Sequence, residues 1–153
     1  MTARRLVLIL VTALLSAAAC SAGSGATTAP SASEPPAATS TALRVDVTLS
    51  DALKIEPSSM TVPAGVPVTF VVTNSGAIDH EFYLGDEAAQ AEHEQEMATM
   101  GGMTHDEPEG IAVKPGETKE LTYTFAQAGE TLAGCHVVGH YGGGMKATIT
   151  VTG

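Results

Sequence analysis

The chain has 153 residues and a formal net charge of −10, with 16% charged residues, 4% aromatic residues and no Trp. This length allows one globular domain with extensions, and the composition is acidic but ordinary. The sequence has no phosphate-binding glycine loop, no Ser-His-Asp spacing and no basic patch, so we expect neither an enzyme nor a nucleic-acid partner.

The first twenty residues form a predicted targeting segment. Arg4 and Arg5 give a basic start, and the apolar run over residues 6–19 is too short to span a bilayer. Cys20 follows small residues directly, which resembles the bacterial lipoprotein signal, although Ala17 stands where that signal usually has Leu. We expect an exported protein, periplasmic or on the cell surface, held to the membrane by a lipid on Cys20; plain cleavage before Cys20 is the alternative.

A predicted linker follows over residues 21–42. Every residue in it except Glu34 is Ala, Ser, Thr, Gly or Pro. Such a segment buries too little apolar surface to fold, so we expect it to be disordered and to leave the domain at residues 43–153 free to rotate.

The domain itself begins with a change to period-two alternation, which is typical of half-buried strands. The alternating segments are residues 43–49, 68–73, 121–125 and 147–151. Turn signals separate them, among them Asn74-Ser75-Gly76 and Lys114-Pro115-Gly116. Short strands with Gly and Pro turns predict an all-β sandwich of two sheets.

One segment breaks this pattern. Residues 86–100 are rich in Ala, Glu, Gln and Met, open with acidic residues and are followed by Gly101-Gly102. We therefore predict a short inserted helix with an acidic start and a glycine stop.

This insertion carries three thioethers and two imidazoles that could form a secondary copper site. They are His93, Met97, Met100, Met103 and His105. The first three share one helix face, and thioethers suit Cu(I). The alternative, which we favour, is that this face packs on the sandwich with Met as an adaptable filler.

The C-terminal segment holds the most specific pattern. Cys135, His140 and Met145 recur with four residues in each gap, just before the last alternating strand. Apart from Cys20 in the targeting segment, Cys135 has no cysteine to pair with, which suggests a ligand or a reactive thiol in an exported protein. Together with one more ligand, these groups match the two-His, one-Cys, weak-axial-Met set of a blue-copper centre.

This segment resembles the C-terminal motif of the cupredoxins, small blue-copper proteins such as plastocyanin, auracyanin and rusticyanin. The resemblance covers roughly residues 43–153 and implies a Greek-key β-sandwich with one type 1 copper between loops at one end. It also implies that His80, after the turn at residues 74–76, is the fourth ligand. An ordinary turn histidine is the alternative for His80.

His136 competes with His140 as a ligand. Adjacent strand residues point to opposite faces, so His136 should point away if Cys135 points inward. We therefore do not expect His136 to bind copper.

The resemblance implies an extracytoplasmic one-electron carrier that cycles between Cu(II) and Cu(I). The alternative is a copper-binding or copper-tolerance protein that buffers or delivers the metal, which the Met/His insertion suggests. Residues 86–109 carry eight acidic residues and no Lys or Arg. We expect either a solvated surface or a docking face for a redox partner with a basic surface, such as a cytochrome or oxidoreductase, and we expect a monomer.

Overall fold

The computed structural model of the protein describes residues 42–101 and 103–153. The predicted targeting segment with Cys20 and nearly all of the predicted linker lie outside the described residues. No helix within the described ranges has the length and apolarity needed to cross a membrane.

The domain contains nine described strands and one described helix. In chain order they are β1 (Leu43–Ser50), β2 (Lys54–Glu56), β3 (Ser59–Pro63), β4 (Pro67–Asn74), β5 (His80–Gly85), α1 (Glu87–Thr99), β6 (Gly110–Val113), β7 (Thr118–Thr124), β8 (Gly129–Gly134) and β9 (Lys146–Thr152). The prediction of a β-sandwich with a short inserted helix is confirmed.

The strands form two sheets. One has the order β2-β1-β4-β7 and the other β3-β9-β8-β5-β6. Two neighbouring pairs, β1 with β4 and β3 with β9, run parallel, while the remaining pairs are antiparallel. Parallel neighbours need crossover connections, and crossovers between the sheets close the sandwich.

The core lies between the sheets and follows the predicted alternation. Phe70 of the first sheet packs against Phe82 of the second, with ring centroids 5.3 Å apart, and against Phe125 at 6.4 Å. On β4 the even-numbered Val68, Phe70 and Val72 are fully buried, whereas Thr69 on the outer face pairs with Thr122. The aliphatic and aromatic side chains supply the main stabilisation of the scaffold.

Helix α1 begins and ends where the sequence predicts. The Asp86 side chain accepts a hydrogen bond from the Ala89 N–H at 2.9 Å, as an N-cap does, and Met100 is the C-cap. Gln90, His93 and Met97 form its buried face, which lies against β5 and β8. The helix therefore covers part of the outer surface of the second sheet.

Candidate metal centre

The candidate site lies where two paired strands and one loop meet. His80 is the first residue of β5, and Cys135 directly follows β8, which pairs with β5. His140 and Met145 belong to the loop between Cys135 and β9. Sheet pairing thus brings together two residues that are 55 positions apart, and the loop adds the other two.

The distances match a single mononuclear site. Cys135 Sγ lies 3.8 Å from His80 Nδ1 and 3.4 Å from His140 Nδ1. One donor atom from each of these residues lies within 4.8 Å of the other two. Met145 is fully buried, its N–H donates to the His140 carbonyl at 3.0 Å, and its carbonyl accepts from the Cys135 N–H at 3.1 Å.

The donor chemistry fits copper. A thiolate, two imidazoles and a thioether are the set of a type 1 centre, in which the Met contact is long and weak. His80, Cys135, His140 and Met145 form such a type 1 copper-like site here. No carboxylate stands among the four groups, and carboxylates are the ligands that harder metals prefer.

Asp51 orients His80. His80 Nε2 lies 3.1 Å from Asp51 Oδ1, while Nδ1 faces Cys135. A carboxylate on one ring nitrogen leaves the other nitrogen free to bind metal. The Ala77 N–H donates to Asp51 Oδ2 at 2.8 Å, and this contact is the main reason that the pKa of Asp51 is lowered. The carboxylate is therefore ionised and ready to accept from His80.

The turn before β5 positions that pair. The fully buried Asn74 side chain donates to the carbonyls of Ile78 and Val113, each at 2.8 Å, and accepts from the Gly76 N–H. At residue 76 a Cβ atom would lie 2.0 Å from Asp51 Oδ1 and 3.1 Å from His80 Nε2. Only glycine lets the turn approach the Asp51–His80 pair so closely.

Burial sets the protonation of the ligands. Burial raises the pKa of the Cys135 thiol to about 11, despite the opposing hydrogen bonds from the Glu81 and Val137 backbone. Burial, with a smaller contribution from nearby His80, lowers the pKa of His140. The imidazole of His140 is thus neutral and available at neutral pH, whereas metal binding must displace a proton from the thiol.

His140 is also the ligand nearest to solvent. Its exposed fraction is 8%, against 0% for His80, Cys135 and Met145. Exposed Val138 stands two positions before it in the loop. The imidazole edge of His140 is therefore the accessible end of the site.

His136 points to the other side of the sheet, as the strand alternation predicts. Its ring contacts Glu94 Oε2 at 2.6 Å and Gln90 Oε1 at 2.7 Å, both on α1, and stacks on Tyr141. The ring is nevertheless buried, because α1 covers this face. Burial is the main cause of its lowered pKa.

The residues of the predicted secondary copper site differ in exposure, and two of them, His93 and His105, have ring centroids 6.2 Å apart. His93 and Met97 are buried under α1, while Met103 is 67% exposed. His93 stacks on Tyr83, with ring centroids 3.9 Å apart, and His105 contacts Glu107. The two imidazoles thus lie among carboxylates, and copper binding by Met97, Met100 and Met103 stays a prediction.

Sequence reasoning missed Asp51 and the buried Glu81. Asp51 lies 29 positions before His80, in the turn after β1, and no local spacing marks it. Glu81 follows His80 directly and looks like an outward-facing strand residue, yet it is 1% exposed. The only hint in the sequence that Glu81 is buried was the predicted helix that follows β5, because a helix next to a sheet covers part of one sheet face.

Comparison with known proteins gives the same assignment. The family model "Copper binding proteins, plastocyanin/azurin family" matches residues 41–152. The copper-resistant cuproprotein CopI of Rubrivivax gelatinosus is 37% identical over 107 residues, covering 70% of this chain and 65% of that protein. The protein of the same name from Vibrio cholerae serotype O1 is 40% identical over 106 residues, covering 69% and 63%. The chain thus spans just under two thirds of the length of these relatives.

Solved structures share the fold. A sodium-dithionite-reduced auracyanin from Roseiflexus castenholzii superposes with a TM-score of 0.66 at 23% identity, covering 73% of this chain and 98% of that one. At this identity the likeness concerns the fold alone. With the family match over residues 41–152 and the four converging ligands, the chain belongs to the plastocyanin/azurin family of copper-binding proteins.

Proposed function

We propose that this protein exchanges single electrons at one type 1 copper outside the cytoplasm and is a carrier rather than an enzyme. The supporting observation is the preformed ligand set, with Cys135 Sγ 3.4 and 3.8 Å from two imidazole nitrogens inside a rigid sandwich. When bound, copper supplies the Cu(II)/Cu(I) couple, and a site that moves little between the two states favours rapid exchange.

The protein's own groups carry the rest of this function. Cys135, His80 and His140 would hold the metal among buried side chains, and Met145 would supply the weak thioether contact that tunes its potential. His140 provides the contact with solvent through which an electron would enter or leave. The predicted targeting segment supports an extracytoplasmic location, with or without a lipid on Cys20.

A redox partner with a basic surface fits the charge of this protein. Residues 86–109 carry eight acidic residues, and exposed carboxylates of α1 include Glu92 and Glu96. Association through this face should weaken as salt is added, because exposed charges are screened. We propose such docking as the acidic segment's role in electron transfer.

The ligand assignment is tested by colour. The full chain loaded with Cu(II) should show an intense thiolate-to-copper absorption and one type 1 copper per chain. Cys135→Ser should lose that absorption, and His136→Ala, which changes the neighbouring imidazole on the opposite face, should keep it. Loss of colour in His136→Ala would make His136 the ligand in place of His140.

A role in copper tolerance is the second candidate. It is supported by the two relatives named copper-resistant cuproprotein, at 37% and 40% identity. A deletion strain complemented with the wild-type chain or with Cys135→Ser separates the two functions. Copper tolerance restored by the wild type alone would support the tolerance role, whereas unchanged tolerance with slowed respiration would support the carrier.

A further inference from the structure

A second cluster of ligand-type side chains lies at α1 and the loop that follows it, on the opposite face of β5 from the copper-like site; His93 is buried there, whereas the Glu96 side chain is 53% exposed. It consists of His93 and Glu96 of the helix with His105 and Glu107 of the following loop. One donor atom from each of His93, Glu96 and Glu107 lies within 4.8 Å of the other two. His93 Nδ1 is 3.8 Å from Glu107 Oε1 and 4.0 Å from Glu96 Oε2, and His105 Nε2 contacts Glu107 Oε1.

Each histidine of this cluster turns one ring nitrogen towards a glutamate and leaves the other ring nitrogen without a hydrogen bond. His93 Nε2 and His105 Nδ1 are the buried side-chain polar atoms without a hydrogen-bond partner in the part of the chain that the structure describes. The His93 side chain is 2% exposed. Buried polar groups are rarely left unsatisfied without a functional reason.

Glu81 stands where a metal-binding histidine keeps its supporting carboxylate. Glu81 Oε1 lies 3.1 Å from His93 Nε2, outside hydrogen-bonding geometry as the ring now stands, and Oε2 accepts from the His136 N–H at 3.3 Å. Metal-ligating histidines commonly donate their second ring N–H to a carboxylate. With Nδ1 on a cation, a small rotation of the ring would complete the bond from Nε2 to Glu81.

The local charge also favours a cation. Four carboxylates surround the three imidazoles of this region, those of Glu81, Glu94, Glu96 and Glu107, and residues 86–109 contain no Lys or Arg. The nearby Lys119 is bound to Asp106 at 2.6 Å and not to this cluster. A divalent cation would offset the excess negative charge.

We propose that His93, Glu96, His105 and Glu107 form a second metal site for a borderline divalent cation, Zn²⁺ or Cu²⁺. Two imidazoles and two carboxylates without a thiolate suit these ions rather than Cu(I). Tetrahedral bonds of about 2.1 Å place ligand atoms about 3.4 Å apart. Glu96 and Glu107 therefore need to close on His93 Nδ1 by about half an ångström, and the contact between His105 and Glu107 needs to open. Their flexible side chains allow that movement, while stacking on Tyr83 fixes the His93 ring.

The experiment titrates Zn²⁺ into the full chain already loaded with one equivalent of copper, followed by calorimetry and by metal analysis after dialysis. The colour of the first site reports that copper stays in place. One Zn²⁺ per chain should bind in addition to the copper. Glu107→Gln and Glu96→Gln keep the shape of the side chains and should each weaken Zn²⁺ binding by about tenfold or more.

Glu92→Gln is the matched control, because it removes one charge from an exposed position of the same helix. It should leave the affinity for Zn²⁺ within about twofold of the wild type. Absence of a second bound ion, or equal weakening by Glu92→Gln and Glu107→Gln, would overturn the proposal.

Discussion

Replacing Asp51 by Ala tests whether a residue outside the ligand set controls the copper site. The substitution removes the carboxylate that lies 3.1 Å from His80 Nε2 and that accepts from the Ala77 N–H. Without it, the His80 ring loses the contact that leaves Nδ1 facing Cys135. We expect copper to bind more weakly while the four ligands stay the same.

The structure sets the size of this effect. Loss of a supporting partner of a metal-bound histidine weakens metal binding by about 10- to 100-fold. The Asp51 side chain is 44% exposed, so water replaces part of its role and we expect the lower end, about tenfold. Because a nearby negative charge favours Cu(II) over Cu(I), the reduction potential should rise, by up to about 60 mV if the whole loss falls on Cu(II).

Chelator competition measures the Cu(II) affinity, and voltammetry measures the potential. Asp46→Ala is the matched control, since Asp46 is an exposed carboxylate of β1 that pairs with Arg44 far from the ligands. Gly76→Ala should act in the same direction as Asp51→Ala, because its Cβ would collide with Asp51 Oδ1. If Asp51→Ala and Asp46→Ala gave the same affinity and potential, Asp51 would not orient His80.

Three further outcomes are expected. Met145→Gln should keep a coloured site with a shifted potential, since the axial ligand tunes the couple; an unchanged voltammogram would place Met145 outside the copper sphere. Copper affinity should rise roughly tenfold per pH unit between about pH 7.5 and 9, because burial raises the pKa of Cys135 to about 11 and binding must displace its proton. A pH-independent affinity in chelator competition would show that the thiol is already ionised. Phe70→Ala should lower the free energy of unfolding of the metal-free protein by about 3–5 kcal/mol, since the fully buried ring leaves a cavity between the sheets. Denaturant titration showing a loss below about 1 kcal/mol would contradict that packing.

Much of the fold was predictable because its elements carry local signals. The alternation on β1, β4, β7 and β9 marked one buried face, and Asp86 and Gly101 bounded the helix. The short β2, β3 and β6 were not predicted, since three to five residues hold too few alternations to identify a strand. Their place in the sheets comes from pairing with distant segments.

Some residues of the candidate site were predictable from the sequence and others were not. Cys135, His140 and Met145 lie in one loop, so their spacing is visible in the sequence, while His80 could be assigned only through the family resemblance. Asp51 reaches the site because β1 ends beside the turn that Asn74 closes, a contact made by tertiary structure alone. Residue spacing in the sequence therefore identifies ligands that lie in one loop, but it does not identify residues such as Asp51 that orient a ligand from a distant part of the chain.

Helix α1 buries polar side chains on the outer face of β5 and β8. These side chains are direct sequence neighbours of the ligands on the inner face. His80 and Cys135 face the copper-like site, while their neighbours Glu81 and His136 face α1, as strand alternation requires. The backbone N–H of Glu81 donates to Cys135 Sγ at 3.3 Å, and the His136 N–H donates to Glu81 Oε2. On an uncovered sheet Glu81 and His136 would be solvated. Under α1 they are satisfied by one another and by Gln90 and Glu94. A cation or partner that moves the helix therefore acts one residue away from two copper ligands.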